Sequence, residues 1–142
     1  NSYKNRKICC VFDFDTQHKV FQEMSSRLEK FDVTPVQYGV MYCLWIEGKT
    51  KPKEIAAELK LENSTISGVL ERMEKKELIE RQVSKEDRRF IEVVLTEKGK
   101  ALQNPILATV EEVNKDVLSE MSQEEQSELK KALRILGGLE DE

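Results

Sequence analysis

Asn63, Ser64, Thr65 and Ser67 are four short hydrogen-bonding side chains crowded into the start of one stretch, LENSTISGVLERMEKKELIERQ. Apolar residues recur behind them at Ile66, Val69, Leu70 and Met73, with cations at Arg72, Lys75 and Lys76, so the stretch reads as a helix over 63–77 with one buried face. Capping by Asn63 or Ser64 accounts for one of the four, because the free amides of a first helical turn need an acceptor. The others fit something outside the chain. Hydroxyls bond both base edges and phosphates, and they are short enough to let a backbone come close. The helix end adds free amides and partial positive charge suited to a phosphate. A second set, Asp87, Arg88 and Arg89, lies in the charged run SKEDRR. Arginine suits the negative potential of a narrow minor groove, and an adjacent aspartate can hold it in a preset direction through a bidentate pair. Each set alone has a plainer account, a capped surface helix or a solvated turn whose ion pair contributes little. Together they point to double-stranded DNA.

Catalysis and metal binding find no comparable set. His18 is the only histidine, there is no glycine-rich phosphate loop, and Cys10 and His18 stand about two helical turns apart, too far for direct contact. Cys9, Cys10 and Cys43 have neither metal-site nor thioredoxin spacing, which fits a reducing cytoplasm. The expectation is a cytoplasmic protein that is no enzyme and needs no cofactor or metal. Net charge is −4, but the mean hides a gradient. Residues 48–100 carry 13 Lys and Arg against 11 Asp and Glu, net +2, while residues 111–142 carry 4 against 10, net −6. No run approaches the roughly 20 apolar residues of a membrane span; VQYGVMYCLWI is too short and reads as a buried helix. There is no secretory signal, and the chain opens on Asn1 rather than Met, so it is read as trimmed and its first residues carry no argument.

The elements that must position the two sets follow from periodicity. A first helix runs from Ile8 to Phe31 on Cys10, Phe14, Phe21, Met24, Leu28 and Phe31, and DVTP breaks it. Thr34 caps and Pro35 opens a second helix over 35–46, with Tyr42 and Trp45 in its core. A turn, EGKTKP, leads to a short helix over 52–60 that turns Ile55, Ala56 and Leu59 inward. After the 63–77 helix the period drops to two, at Ile79, Arg81, Val83 and again at Ile91, Val93, Leu95, which makes a β-hairpin with SKEDRR at its tip. Thr96 starts a long helix to about residue 119, in which Pro105 marks either a kink or a delayed start. Ser122 and Glu125 fit a capping box for a last helix carrying Leu129, Leu133 and Leu136. The order is that of a mainly α chain with a small β-hairpin wing: a winged helix-turn-helix, with terminal helices whose apolar stripes need a partner.

The segments TPVQYGVMYCL, KPKEIAAELKLENSTISGVLERMEKKELIERQ and KEDRRFIEVVLTEKGKAL, with the capped last helix, resemble the MarR family of bacterial transcription regulators. The resemblance covers about residues 31–136. It implies one MarR-type domain, with a DNA-binding lobe over 34–100 and dimerisation helices over 1–33 and 101–142. It implies a homodimeric repressor on a palindromic operator, with His18 packed at the dimer seam. Ser64, Thr65 and Ser67 would face the major groove, Arg89, oriented by Asp87 and flanked by Arg88, would enter the minor groove, and Arg72 would support the lobe or a phosphate. Small aromatic acids are the family's common effectors. Glu77 departs from the pattern, since a glycine usually follows this helix. One branch senses organic hydroperoxides through a cysteine early in the first helix, and Cys10, 24 residues before Thr34, has that spacing. Phe14, Met24 and Pro35 replace that branch's tyrosines, so Cys10 is expected to be an inert thiol. The rival to a DNA-binding regulator is a winged helix that binds protein instead, which the acidic tail keeps in play.

Overall fold

Caps and turn residues set the element boundaries of the computed structural model, which describes residues 14–139. Helix α1 spans Phe14–Leu28 and tightens into a 3₁₀ turn, Glu29–Phe31. It ends where Asp32 takes a left-handed backbone, φ 55°. The expected start at Ile8 lies outside the described residues. Thr34 and Gln37 then cap α2, Pro35–Tyr42, reciprocally: Thr34 Oγ1 accepts the Gln37 amide at 3.2 Å and Gln37 Oε1 accepts the Thr34 amide at 3.2 Å. A π-helical turn, Cys43–Glu47, carries α2 on to Gly48, whose φ of 66° stops it. Helices α3, Pro52–Glu58, and α4, Asn63–Lys75, follow.

Strands β1, Ile79–Val83, and β2, Ile91–Leu95, pair antiparallel from Ile79 opposite Leu95 to Val83 opposite Ile91, the register that the period-two alternation demands. The expected helix from Thr96 to residue 119 is two helices, α5, Glu97–Ala101, and α6, Gln103–Val117. Pro105 is the reason. It has no amide to give the Ala101 carbonyl, so the ladder breaks there and Pro105 sits in the first turn of α6, where its missing donor costs nothing. Ser122 and Glu125 form the expected capping box at the head of α7, Gln123–Leu136.

One apolar core joins these pieces. Leu28 of α1, Met41 of α2, Ile55 of α3, Leu70 and Met73 of α4, Ile79 and Val93 of the hairpin and Ile106 of α6 are all fully buried in it. Helix α1 packs along α6, where Arg27 is ion-paired with Asp116. Tyr42 corrects an expectation: it is exposed, tilted against Tyr38 with ring centroids 6.1 Å apart, because it lies on the side of α2 opposite the buried Val40, Met41 and Cys43. Trp45 is half-buried, and its indole N–H reaches the Gly99 carbonyl at 3.0 Å. Helix α7 buries no residue within the chain, leaving Leu133, Ile135 and Leu136 exposed. No described helix is long and apolar enough to cross a membrane.

Candidate nucleic-acid interface

Helix α4 buries Ile66, Val69, Leu70 and Met73 and turns Ser64, Thr65, Ser67 and Arg72 to solvent. No side chain caps it. The residue with an extended backbone, φ −68° and ψ 151°, is Glu62, whose carbonyl accepts the Ile66 amide at 3.0 Å. Asn63 and Ser64, expected to cap, sit instead inside the first turn, one and two residues past the position whose side chain could bond its amides. All four short polar side chains and the first-turn amides are thereby left facing outward. Arg72 makes no ion pair; its guanidinium lies back along its own helix, 3.5 Å from where a methyl on Gly68 would stand.

The hairpin tip is built more tightly. Arg89 Nε donates to Asp87 Oδ1 at 3.0 Å and Nη2 to Oδ2 at 2.7 Å, a two-point grip, while the Arg89 amide donates to Oδ1 at 3.1 Å. These bonds, the side-chain ones foremost, hold the Asp87 carboxyl below its ordinary range. The Arg89 side chain nevertheless remains 83% exposed, so it is aimed without being withdrawn from solvent. Arg88 is exposed and has no such grip. A residue that periodicity does not reveal shapes the turn. Ser84 is buried, and its hydroxyl accepts the amides of Glu86 and Asp87, both at 3.3 Å, while donating to Glu92 at 3.1 Å. Its signal was available in the first letter of SKEDRR, since serine closes local turns in this way.

The segment LTEKGK locks helix and hairpin together. Thr96 Oγ1 caps α5 by accepting the Gly99 amide at 3.1 Å and donates to the Glu77 carbonyl at 2.6 Å, and Lys98 Nζ donates to the Lys76 carbonyl at 3.0 Å. Gly99 is obligatory: a Cβ there would stand 2.3 Å from the Leu78 carbonyl oxygen. Lys76, at the end of α4, donates to the Asp32 carbonyl at 2.8 Å and to Gln37 Oε1 at 2.9 Å, tying α4 to the junction of α1 and α2. Glu77 takes a left-handed backbone, φ 62°, as its place in a glycine's position requires.

Other candidates separate from this face. Cys10, with the rest of residues 1–13, lies outside the described residues. Cys43 is buried, which pushes its thiol up. His18 is exposed on α1 beside Phe21. Among the described residues no group of three or more metal-ligating side chains comes together.

Comparison with known proteins agrees with this geometry. The model of the MarR family matches residues 33–91, which span α2 through the hairpin tip. The HTH-type transcriptional regulator SarZ of Staphylococcus aureus is 26% identical over 106 residues, 75% of this chain and 71% of that protein. Among solved structures, the MepR–DNA complex of S. aureus superposes with a TM-score of 0.74 at 28% identity, covering 90% of this chain and 99% of that one. The YusO protein of Bacillus subtilis superposes at 0.64 with 30% identity over 85% of this chain and 86% of that one.

Proposed function

The chain belongs to the MarR family of transcriptional regulators, and from that premise we propose that it binds an inverted-repeat operator as a homodimer and represses transcription until a small aromatic effector releases it. The observation that carries this reading is the pairing of an uncapped, hydroxyl-lined start of α4 with an Arg89 that is held by Asp87 yet exposed. The first suits base edges and phosphates in the major groove, and the second suits the minor groove beside it. In this reading Arg72, exposed on α4, serves a phosphate, and Arg88 adds charge at the tip.

The dimer is supported by the apolar residues that the chain leaves in water at both its ends, Phe21 on α1 and Leu133, Ile135 and Leu136 on α7. In this reading residues 1–33 and 101–142 form the dimer body, and residues 34–100 the DNA-binding lobe. Two-fold symmetry would set the two α4 helices roughly 34 Å apart and the half-sites about one helical turn apart. A cleft of about 240 Å³ between α1, the α1–α2 junction and Lys76 offers a place for an effector, where it could act on the tie between α4 and that junction.

Binding to random duplex DNA, followed as salt is raised, tests the reading at its base. Affinity should fall steeply with salt, as counterion release requires. Absence of binding at low salt would favour the protein-binding alternative. Sequences selected from a random pool should then be inverted repeats; a single asymmetric half-site would sink the symmetric dimer.

A further inference from the structure

Phe90 ends the charged tip of the hairpin, and it is left 47% exposed. Its surroundings give it a purpose. Lys51 Nζ stands 5.1 Å from the centre of the ring and Arg89 Cζ 5.8 Å, both within the range, about 6 Å, at which an aromatic face attracts a cation. Arg89 is Phe90's own neighbour, but Lys51 comes from outside the hairpin, from the residue before α3. It is brought there by the backbone: the Val93 amide of β2 donates to the Thr50 carbonyl at 2.8 Å, laying the segment that precedes α3 along the hairpin. Lys51 makes no salt bridge of its own, and it is close enough to Asp87 to add to the lowering of that carboxyl begun by Arg89. The two cations at the ring are thus a matched pair in all but one respect. Asp87 grips Arg89 through hydrogen bonds, whereas it acts on Lys51 only through space and the ring is the group that Lys51 stands over.

We propose that Lys51 is a phosphate-contacting residue of the DNA interface, and that Phe90 is the positioning residue that holds Lys51 and Arg89 over one ring so that the wing meets the duplex with two cations already in place. This rests on the DNA-binding reading above. The physical reason is the character of lysine: its ammonium is a strongly hydrated point charge on a flexible stem, and ordering that stem on binding subtracts from what the contact contributes. A ring that holds the ammonium beforehand removes part of that cost. The contact is to the backbone of the nucleic acid, so it is blind to sequence.

Three variants of the full chain, Lys51→Gln, Phe90→Ala and Phe90→Trp, separate the two roles on random-sequence duplex DNA. Both sites are exposed, and thermal melts confirm folding before binding is compared. Lys51→Gln should flatten the dependence of log affinity on log salt by about one unit, so that between 50 and 200 mM salt the parent loses about threefold more affinity than the variant. Phe90→Ala should weaken binding at an unchanged slope, since both cations remain but neither is held. Phe90→Trp, with the better cation-binding face, should restore it. A Lys51→Gln slope equal to the parent's overturns the phosphate contact. Parent-like affinity in Phe90→Ala, or a Phe90→Trp variant as weak as Phe90→Ala, overturns the positioning role. Should the parent itself show no salt-dependent binding, the regulator reading falls and takes this one with it.

Discussion

Glu77 holds a left-handed backbone without the glycine that would hold it freely. Such a conformation costs an L residue about 1 kcal/mol, because its Cβ crowds the following carbonyl. Glu77→Gly should therefore stabilise the protein by roughly that amount, less the entropy that glycine returns to the unfolded chain. A urea midpoint unchanged or lowered would show that the turn is not strained. At the interface the two groups of residues should fail differently. Arg89→Ala should weaken binding to all sequences, most where A·T tracts flank the site, because a guanidinium in a narrow groove reads width and potential. Ser64→Ala or Thr65→Ala should instead change which bases are preferred. Intact affinity in Arg89→Ala would remove the wing from the interface.

At the scale of elements, α7 stands on its capping box. The Ser122 amide donates to Glu125 at 3.0 Å, and this bond, with the one to the Ser122 hydroxyl, holds the Glu125 carboxyl below its ordinary range. A carboxyl lowered in the folded state stabilises fully above its unfolded value of about 4, and the contribution fades as pH falls through the lowered value. Glu125→Gln can still accept the amide but cannot titrate, so its melting temperature should fall less steeply with acid than the parent's. Equal acid slopes would exclude Glu125 as a contributor. This box was legible in SQEE, as were the two strands of the hairpin and the cap at Thr34, because each depends on residues three apart or on strict alternation. The start of α4 at Asn63 was legible too, but its cap was not. Asn63 and Ser64 are good capping residues, but which residue caps is fixed by whose backbone is extended, and that is Glu62. The break at Leu102 was half legible, since Pro105 announced a disturbance without choosing between a kink and a new start. The Lys51–Phe90 contact was hidden for a different reason: it depends on where the segment before α3 lies, which no local pattern encodes.

Among the described residues, α1 and α7 leave Phe21, Leu133, Ile135 and Leu136 exposed while the core is continuous from α1 through the hairpin to α6. Such a chain should exist as a dimer at micromolar concentration, with sedimentation reporting twice the mass of the chain; a stable folded monomer there would contradict the proposed assembly. Because Leu28 and Ile106 belong to the same core as Leu70 and Val93, the lobe has no seam at which it could unfold alone, and the described core should melt in one transition.

Helix α7, which has no fully buried residue and contributes none to the core, stands outside that cooperative unit. In the proposed dimer its amides gain, beyond their own helical hydrogen bonds, the protection of the partner that covers them, so their opening would follow mass action. Diluting the protein should speed hydrogen–deuterium exchange in α7 while leaving that of α4 and the hairpin nearly unchanged. In that assembly the last helix would serve as a built-in gauge of subunit concentration, readable amide by amide without any DNA present.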